Sequence, residues 1–253
     1  MNQSKKFEVV FIPGAIQPAS IQYAPLLNEL NHEILPLLKD LEVYRDGTPP
    51  AGYSLSTEVE GLKAATKQAG MSEFHLVAYS GGGAAALAFT GAYPERVRSL
   101  ALSEPAVIPS QAWITCESAY WQQMEQVMKL PDEQMMQEFM RLELRDGVPL
   151  PPPPAGDPPS WMAKRPAGIR ALAEAFGRYN LPLENLRDFG KPVYIAVAGL
   201  SNPVEMRKAE FLKEIFTDLQ LDVYPERHHF DPPQRAEPKR FAQALRNLWA
   251  KAR

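Results

Sequence analysis

The sequence predicts an α/β fold, a mostly parallel sheet with helices on both faces, on two observations. Four short apolar runs, Glu8–Ile12, Phe74–Tyr79, Val97–Leu102 and Val193–Ala198, end near glycine, serine or proline and are too short for helices. Amphipathic stretches such as Ser56–Ala69 and Gly82–Tyr93 alternate with them, which is the pattern of strands buried beneath helices on each side. The 253 residues, 45% hydrophobic and 23% charged, can bury a sizeable core, and this composition excludes a disordered or fibrous chain.

Taken in order, the first run leads into FIPGA, a turn-rich strand end. A second strand is expected within Glu33–Tyr44, where the apolar signal is less continuous. The helix at Ser56–Ala69, the strand Phe74–Tyr79, the helix Gly82–Tyr93 and the strand Val97–Leu102 follow in strict alternation. After Pro105 the alternation stops. The residues up to about Phe189 hold three of the four tryptophans (Trp113, Trp121 and Trp161) and six of the nine methionines, which reads as an inserted helical layer. Within it Pro149–Pro159 carries seven prolines, so it runs as a polyproline-like surface connection. A plain spacer is preferred there over a hinge or a PxxP docking motif. The strand Val193–Ala198, a further strand at Leu221–Tyr224 and a last helix over Pro238–Lys251 complete the chain. In that helix Phe241, Leu245, Leu248 and Trp249 share one face and are expected on the sheet. The division is thus 1–105 and 190–253 as two parts of one core, with 106–189 inserted.

No stretch approaches the roughly 18 apolar residues of a membrane span, and Lys5-Lys6 passes straight into FEVVFI, so neither a span nor an export signal is expected. The single cysteine, Cys116, excludes an intramolecular disulfide and a thiolate-cluster metal site and fits a reducing, cytoplasmic location. With 27 basic against 30 acidic side chains and no Lys/Arg run, nucleic acid is not an expected partner.

The segment FHLVAYSGGGAAALAFTGAYPERVRSLALSEPA, Phe74 to Ala106, carries the chemistry. A buried strand ends at Tyr79, Ser80 follows, and three glycines open an alanine-rich helix. A serine on so sharp a strand-to-helix turn needs small residues two before and two after, and Ala78 and Gly82 stand there. Ser80 Oγ then projects above the sheet edge, with the Gly81 amide at the helix start facing an anion beside it. A phosphate loop is the weaker reading, because SGGG lacks both the P-loop lysine and the G-x-G-x-x-G spacing.

This segment closely resembles the α/β-hydrolase superfamily, and the likeness extends over most of the chain through FIPGA, the Ser80 elbow, the inserted layer and a late histidine. The resemblance implies the α/β-hydrolase fold with an inserted helical cap. It also implies a nucleophilic serine, a histidine base, a carboxylate that orients it and an oxyanion hole of two backbone amides. For the hole it points to Gly81 and, in the loop after the first strand, Ala15.

Four histidines are available for the base. His75 lies about 16 Å of extended chain from Ser80 and is out of reach. His32 precedes the nucleophile, against the family's order of serine, acid, histidine. The resemblance places the base in YPERHHFDPP and favours His229, followed by Phe230, over a solvated His228. For the acid, the family's usual aspartate position is taken by Asn202, which carries no charge. Glu104, just after the next strand, is therefore preferred over Asn202 alone, with Glu205 third.

Trp113, Tyr120, Trp121, Met124, Met128, Met136 and Met140 recur at near-helical spacing and are expected between cap and body. Where they face Ser80, the site suits a small apolar or aromatic ester-like substrate. Cys116 reads as a small buried filler. Adjacent His228 and His229 side chains diverge, so no metal site and no cofactor is expected. The expected activity is that of a serine hydrolase acting on a carboxylic ester or lactone. The alternatives are a ligand-binding relative with a degenerate triad and a carbon–carbon bond hydrolase.

Overall fold

Among the described residues six strands form one sheet: β1 (Phe7–Ile12), β2 (Ile34–Leu38), β3 (Phe74–Tyr79), β4 (Val97–Ser103), β5 (Val193–Ala198) and β6 (Leu219–Tyr224). Their order is β2-β1-β3-β4-β5-β6 and every neighbouring pair is parallel. The structure, a computed structural model, describes residues 6–106, 118–152 and 156–252.

The helices in chain order are α1 (Ala19–Gln22), α2 (Ala24–Glu29), α3 (Leu55–Gln68), α4 (Gly81–Ala92), α5 (Ser118–Met128) and α6 (Asp132–Leu142). They continue with α7 (Arg165–Arg178), α8 (Leu183–Arg187), α9 (Val204–Ile215), α10 (Pro233–Ala236) and α11 (Pro238–Lys251). The apolar runs of β3 and β5 are unbroken because all six residues of each are buried, alternate side chains going to opposite faces. One face, with Val9, Phe11, Val77, Ala101 and Tyr194, packs against α2 and α11. There α11 buries Phe241, Leu245, Leu248 and Trp249, each contributing about 1.5–3 kcal/mol of apolar transfer. The other face, with Val10, Ile12, Leu76, Leu100 and Ile195, lies under α3, α4 and α9.

Two features of this frame position the site. The chain steps from β1 outward to β2 and then returns to the other side of β1 for β3, so loops diverge between β1 and β3 and leave a crevice at their carboxyl ends. Between β4 and β5 in the chain stand α5 to α8. Met135, Phe139, Ile169 and Leu172 from these helices belong to the same core cluster as the buried residues of α3 and α4. The segment is also tied to the sheet by its polar backbone: Leu144 bridges Ser201, and the Asn202 amide donates to the Glu143 carbonyl at 2.9 Å. Helix α8 leans on α4 through Asn185 Nδ2, which donates to the Gly91 carbonyl at 2.8 Å. Trp113 and Cys116 lie outside the described residues.

Candidate active site

β3 ends at Tyr79 and α4 begins at Gly81, so Ser80 alone makes the turn, at φ 48° and ψ −122°. Such a backbone costs a non-glycine residue about 1–3 kcal/mol and persists only when its surroundings over-determine it. Here the Ser80 amide donates to the Ser103 carbonyl at 3.1 Å, and the Ser80 carbonyl accepts from the amides of Gly83 at 2.8 Å and Ala106 at 2.9 Å. Gly82 is obligatory for contact reasons: a Cβ there would stand 2.3 Å from the Pro13 carbonyl oxygen. The turn is thereby pressed against the loop that follows β1.

Glu104 follows β4 directly and is fully buried. Its amide donates to the Ala196 carbonyl at 3.0 Å, and its Oε1 accepts from the Ala198 amide at 2.8 Å. Its Oε2 is 2.8 Å from His229 Nδ1. His229, on the loop between β6 and α10, is 3% exposed, and its Nε2 lies 3.0 Å from Ser80 Oγ. The Tyr79 hydroxyl donates to the His229 carbonyl, and the rings of Tyr79 and Phe230 flank the imidazole at 5.2 Å each. Ser80, His229 and Glu104 therefore form one continuous hydrogen-bonded series.

Asn202 and the other three histidines stand outside this series. Asn202 directs Nδ2 to the Leu142 carbonyl at 2.8 Å and Oδ1 to the Val204 amide at 2.9 Å, fastening α6 to the start of α9. His75 is buried with Nδ1 2.8 Å from Ser99 Oγ and its ring beside Trp249, and burial pushes its pKa down to about 3. His32 is exposed, and half-buried His228 accepts the Phe230 amide on its own Nδ1 at 3.2 Å. Ala15 and Gly81 border the same cavity as Ser80, and the Ala15 nitrogen is 3.8 Å from where a Gly81 Cβ would be.

Two charged residues at the site had no signal in the sequence analysis. Glu143, at the end of α6, accepts the Tyr120 hydroxyl at 2.9 Å, and Lys208, one turn into α9, places Nζ 2.5 Å from Glu205 Oε1. Oxygens of Glu143 and Glu205 and a ring nitrogen of His229 lie within 4.8 Å of one another. That trio has metal-ligand spacing, yet both imidazole nitrogens are already engaged and the Lys208 ammonium sits on Glu205. Burial would lower the His229 pKa, but the Glu104 hydrogen bond and the charges of Glu143, Glu104 and Glu205 outweigh it and push it up to about 9. Glu205 is held well above the ordinary carboxylate range by burial, with Lys208 opposing and Glu104 and Glu143 adding to the rise.

The cavity over Ser80 measures about 60 Å³. Tyr120, Trp121, Met124, Met128, Phe139, Ile169 and Leu172 give it apolar walls, and Lys208 and Glu143 add the polar ones. Of the other methionines expected here, Met136 and Met140 pack on the core. The family model of the alpha/beta hydrolase family matches residues 9–244.

The chain belongs to the alpha/beta hydrolase family. Solved hydrolases of this fold superpose along nearly the whole chain. An esterase from Thermogutta terrifontis shares 18% identity at a TM-score of 0.72, covering 99% of this chain and 92% of its own. A carboxylesterase structure from the thaumarchaeon Nitrososphaera gargenis shares 14% at 0.70, covering 98% and 91%. The enol-lactonase of Burkholderia xenovorans shares 13% at 0.65, covering 99% and 94%. At these identities the likeness is one of fold. No curated protein sequence matches the chain. No helix of this hydrolase among the described residues is long and apolar enough to cross a membrane.

Proposed function

We propose that this α/β hydrolase is a serine hydrolase that cleaves a carboxylic ester or lactone through an acyl-enzyme on Ser80. The observation that carries the reading is the series from Ser80 Oγ to His229 Nε2 at 3.0 Å and from His229 Nδ1 to the fully buried Glu104 at 2.8 Å. In this mechanism neutral His229 takes the Ser80 proton as Oγ attacks the carbonyl carbon. The amides of Gly81 and Ala15 receive the oxyanion, and neither donates to a backbone carbonyl among the described residues. Collapse of the tetrahedral adduct breaks the bond to the alcohol oxygen, which takes the proton back from His229. Water then attacks the acyl-enzyme with His229 again as base, releasing the acid and restoring Ser80.

Glu104 keeps the proton on Nδ1 and stabilises the imidazolium as it forms, while Ala198 holds the carboxylate in place. The ligand-binding alternative rested on Asn202 as stand-in acid, and a carboxylate already on His229 Nδ1 favours catalysis over it. An esterase and an enol-lactonase among its fold neighbours support the substrate class.

The test is labelling by a fluorophosphonate probe in wild type, Ser80→Ala, His229→Ala and Glu104→Gln, each checked for folding by circular dichroism. Labelling of the wild type and its loss in Ser80→Ala is expected, with strong slowing in the other two. A folded wild type that does not label, or a Ser80→Ala variant that still does, overturns the reading.

A further inference from the structure

A second cavity, about 330 Å³, opens on the other side of the loop after β1, between that loop, the segment after β2 and the start of α7. Its charged lining consists of Lys39, Asp40, Glu42, Arg45, Lys164 and Arg165. Glu42 is neutralised twice, by Lys39 Nζ at 2.8 Å and Arg45 Nη1 at 2.8 Å. Exposed Asp40 gives one oxygen to the Ala19 amide at 2.7 Å. Lys164 and Arg165 are left without an ion pair among the described residues. Arg165 is only 4% exposed, its Nε has no hydrogen-bond partner, and its guanidinium lies over the Tyr44 ring at 3.9 Å and near the Trp161 ring at 5.0 Å. The charge of Asp40 reaches Arg165 without forming an ion pair, and a buried guanidinium so incompletely paired is costly unless something completes it. With Tyr44 and Trp161 packed on the guanidinium, the unpartnered Nε–H lacks an acceptor, and a planar or tetrahedral oxyanion is the partner that guanidinium chemistry favours.

This cavity also adjoins the site. Pro13 and Gly14 line it, and the next residue, Ala15, lines the cavity over Ser80. Helix α7 spans both, with Arg165 at one and Leu172 at the other, about 10 Å along the axis. Gly168, between them, lies so close to Tyr44 that a Cβ would meet the ring at 1.9 Å, which fixes the wall.

We infer that the cavity around Arg165 and Lys164 binds an anionic group of the substrate, a carboxylate or phosphate carried at the end remote from the scissile carbonyl. This rests on the ester-hydrolase reading for the word substrate, and the anion site itself does not. The experiment therefore has two arms, run on wild type, Arg165→Gln and Lys164→Ala, with Lys164→Ala replacing a half-exposed residue whose loss leaves the core untouched. In the first arm, calorimetric titration with glutarate and with inorganic phosphate is expected to show binding by wild type, with affinity reduced about tenfold or more in the variants. Which of the two anions binds assigns the group. In the second arm, the ratio of kcat/KM for an ester with a terminal carboxylate or phosphate over its neutral counterpart is expected to fall by a similar factor in both variants. Absence of binding by either anion, or binding and ratios unchanged in both folded variants, overturns the inference. Anion binding that depends on Arg165 without any ester turnover removes the hydrolase reading and keeps the anion site.

Discussion

Ser80 and Glu104 end neighbouring strands and share an uncommon backbone, with φ of 48° and 41°. The register pairs Tyr79 with Ser103, so the next residue of each strand leaves the sheet at the same level. His229 bridges the two from above, 3.0 Å from one and 2.8 Å from the other. The carboxylate on His229 thus comes from the strand beside that of Ser80, while Asn202 beyond β5 bonds to Leu142 and Val204.

That division of labour separates two substitutions. Glu104→Gln keeps the shape but removes the charge that stabilises the imidazolium, and turnover is expected to fall about four orders of magnitude. Asn202→Ala leaves the series intact and removes the bonds to Leu142 and Val204. It is expected to cost about 1 kcal/mol, seen as a Tm roughly 2–4 °C lower, with kcat within a few-fold of wild type. Steady-state kinetics and thermal melts of both variants check this, and the opposite pattern would return the acid role to the β5 loop.

The pH dependence follows from the raised pKa of His229, about 9. The base must be neutral, so kcat/KM of the free enzyme is expected to climb with pH and level off only above about 9. Glu143→Gln removes one of the charges that hold the proton on the imidazole, while its side-chain oxygen still accepts from Tyr120. The acid limb should then move to lower pH. Stability runs the other way: the folded pKa is above the ordinary histidine value of 6.5, so this contribution is complete below that pH and lost as pH rises through about 9. A pH–rate profile of the two proteins checks the shift, and coincident limbs would detach Glu143 from the base.

Two glycines make a stability contrast. Gly82→Ala drives a Cβ to 2.3 Å from the Pro13 carbonyl, at the loop that also carries Ala15. A loss of about 1–3 kcal/mol and of most activity is expected. Gly177, in α7, has nothing within 4 Å of its Cβ position, and Gly177→Ala should raise stability by about 0.5–1 kcal/mol with kinetics unchanged. Denaturant melts read both signs directly.

The sheet and the elbow were legible because their signals are local. β3 and β5 are buried on both faces, which forces continuous apolar runs, and the serine turn demands glycine at position 82. The second strand was faint because it is an edge: Leu35 is 48% and Leu38 36% exposed, and Pro36 interrupts it. Glu143 and Lys208 were silent for a different reason. Lys208 stands on an amphipathic helix and Glu143 just past the end of one, where a charge normally marks the solvated side, and the docking of this helix end onto the β5–α9 loop accompanies the burial of Glu143. Lys208 sits three residues from Glu205, a spacing that on a surface helix is an ordinary ion pair and here is buried.

The size of the Ser80 cavity sets the last expectation. About 60 Å³ of room, against the 10–15 Å³ or so that one water needs, admits only a few heavy atoms. Short acyl groups such as acetyl and butyryl are therefore expected to be turned over faster than octanoyl. Met124 and Met128 stand on successive turns of α5 in the cavity wall, and both are flexible side chains that no hydrogen bond fixes. Met124→Ala should open the wall and raise kcat/KM for octanoyl relative to acetyl esters, by about tenfold if two or more methylenes gain burial at roughly 0.8 kcal/mol each. A chain-length series with p-nitrophenyl esters measures this. An unchanged preference in a folded Met124→Ala protein would mean that the acyl chain leaves the site by a route that α5 does not border.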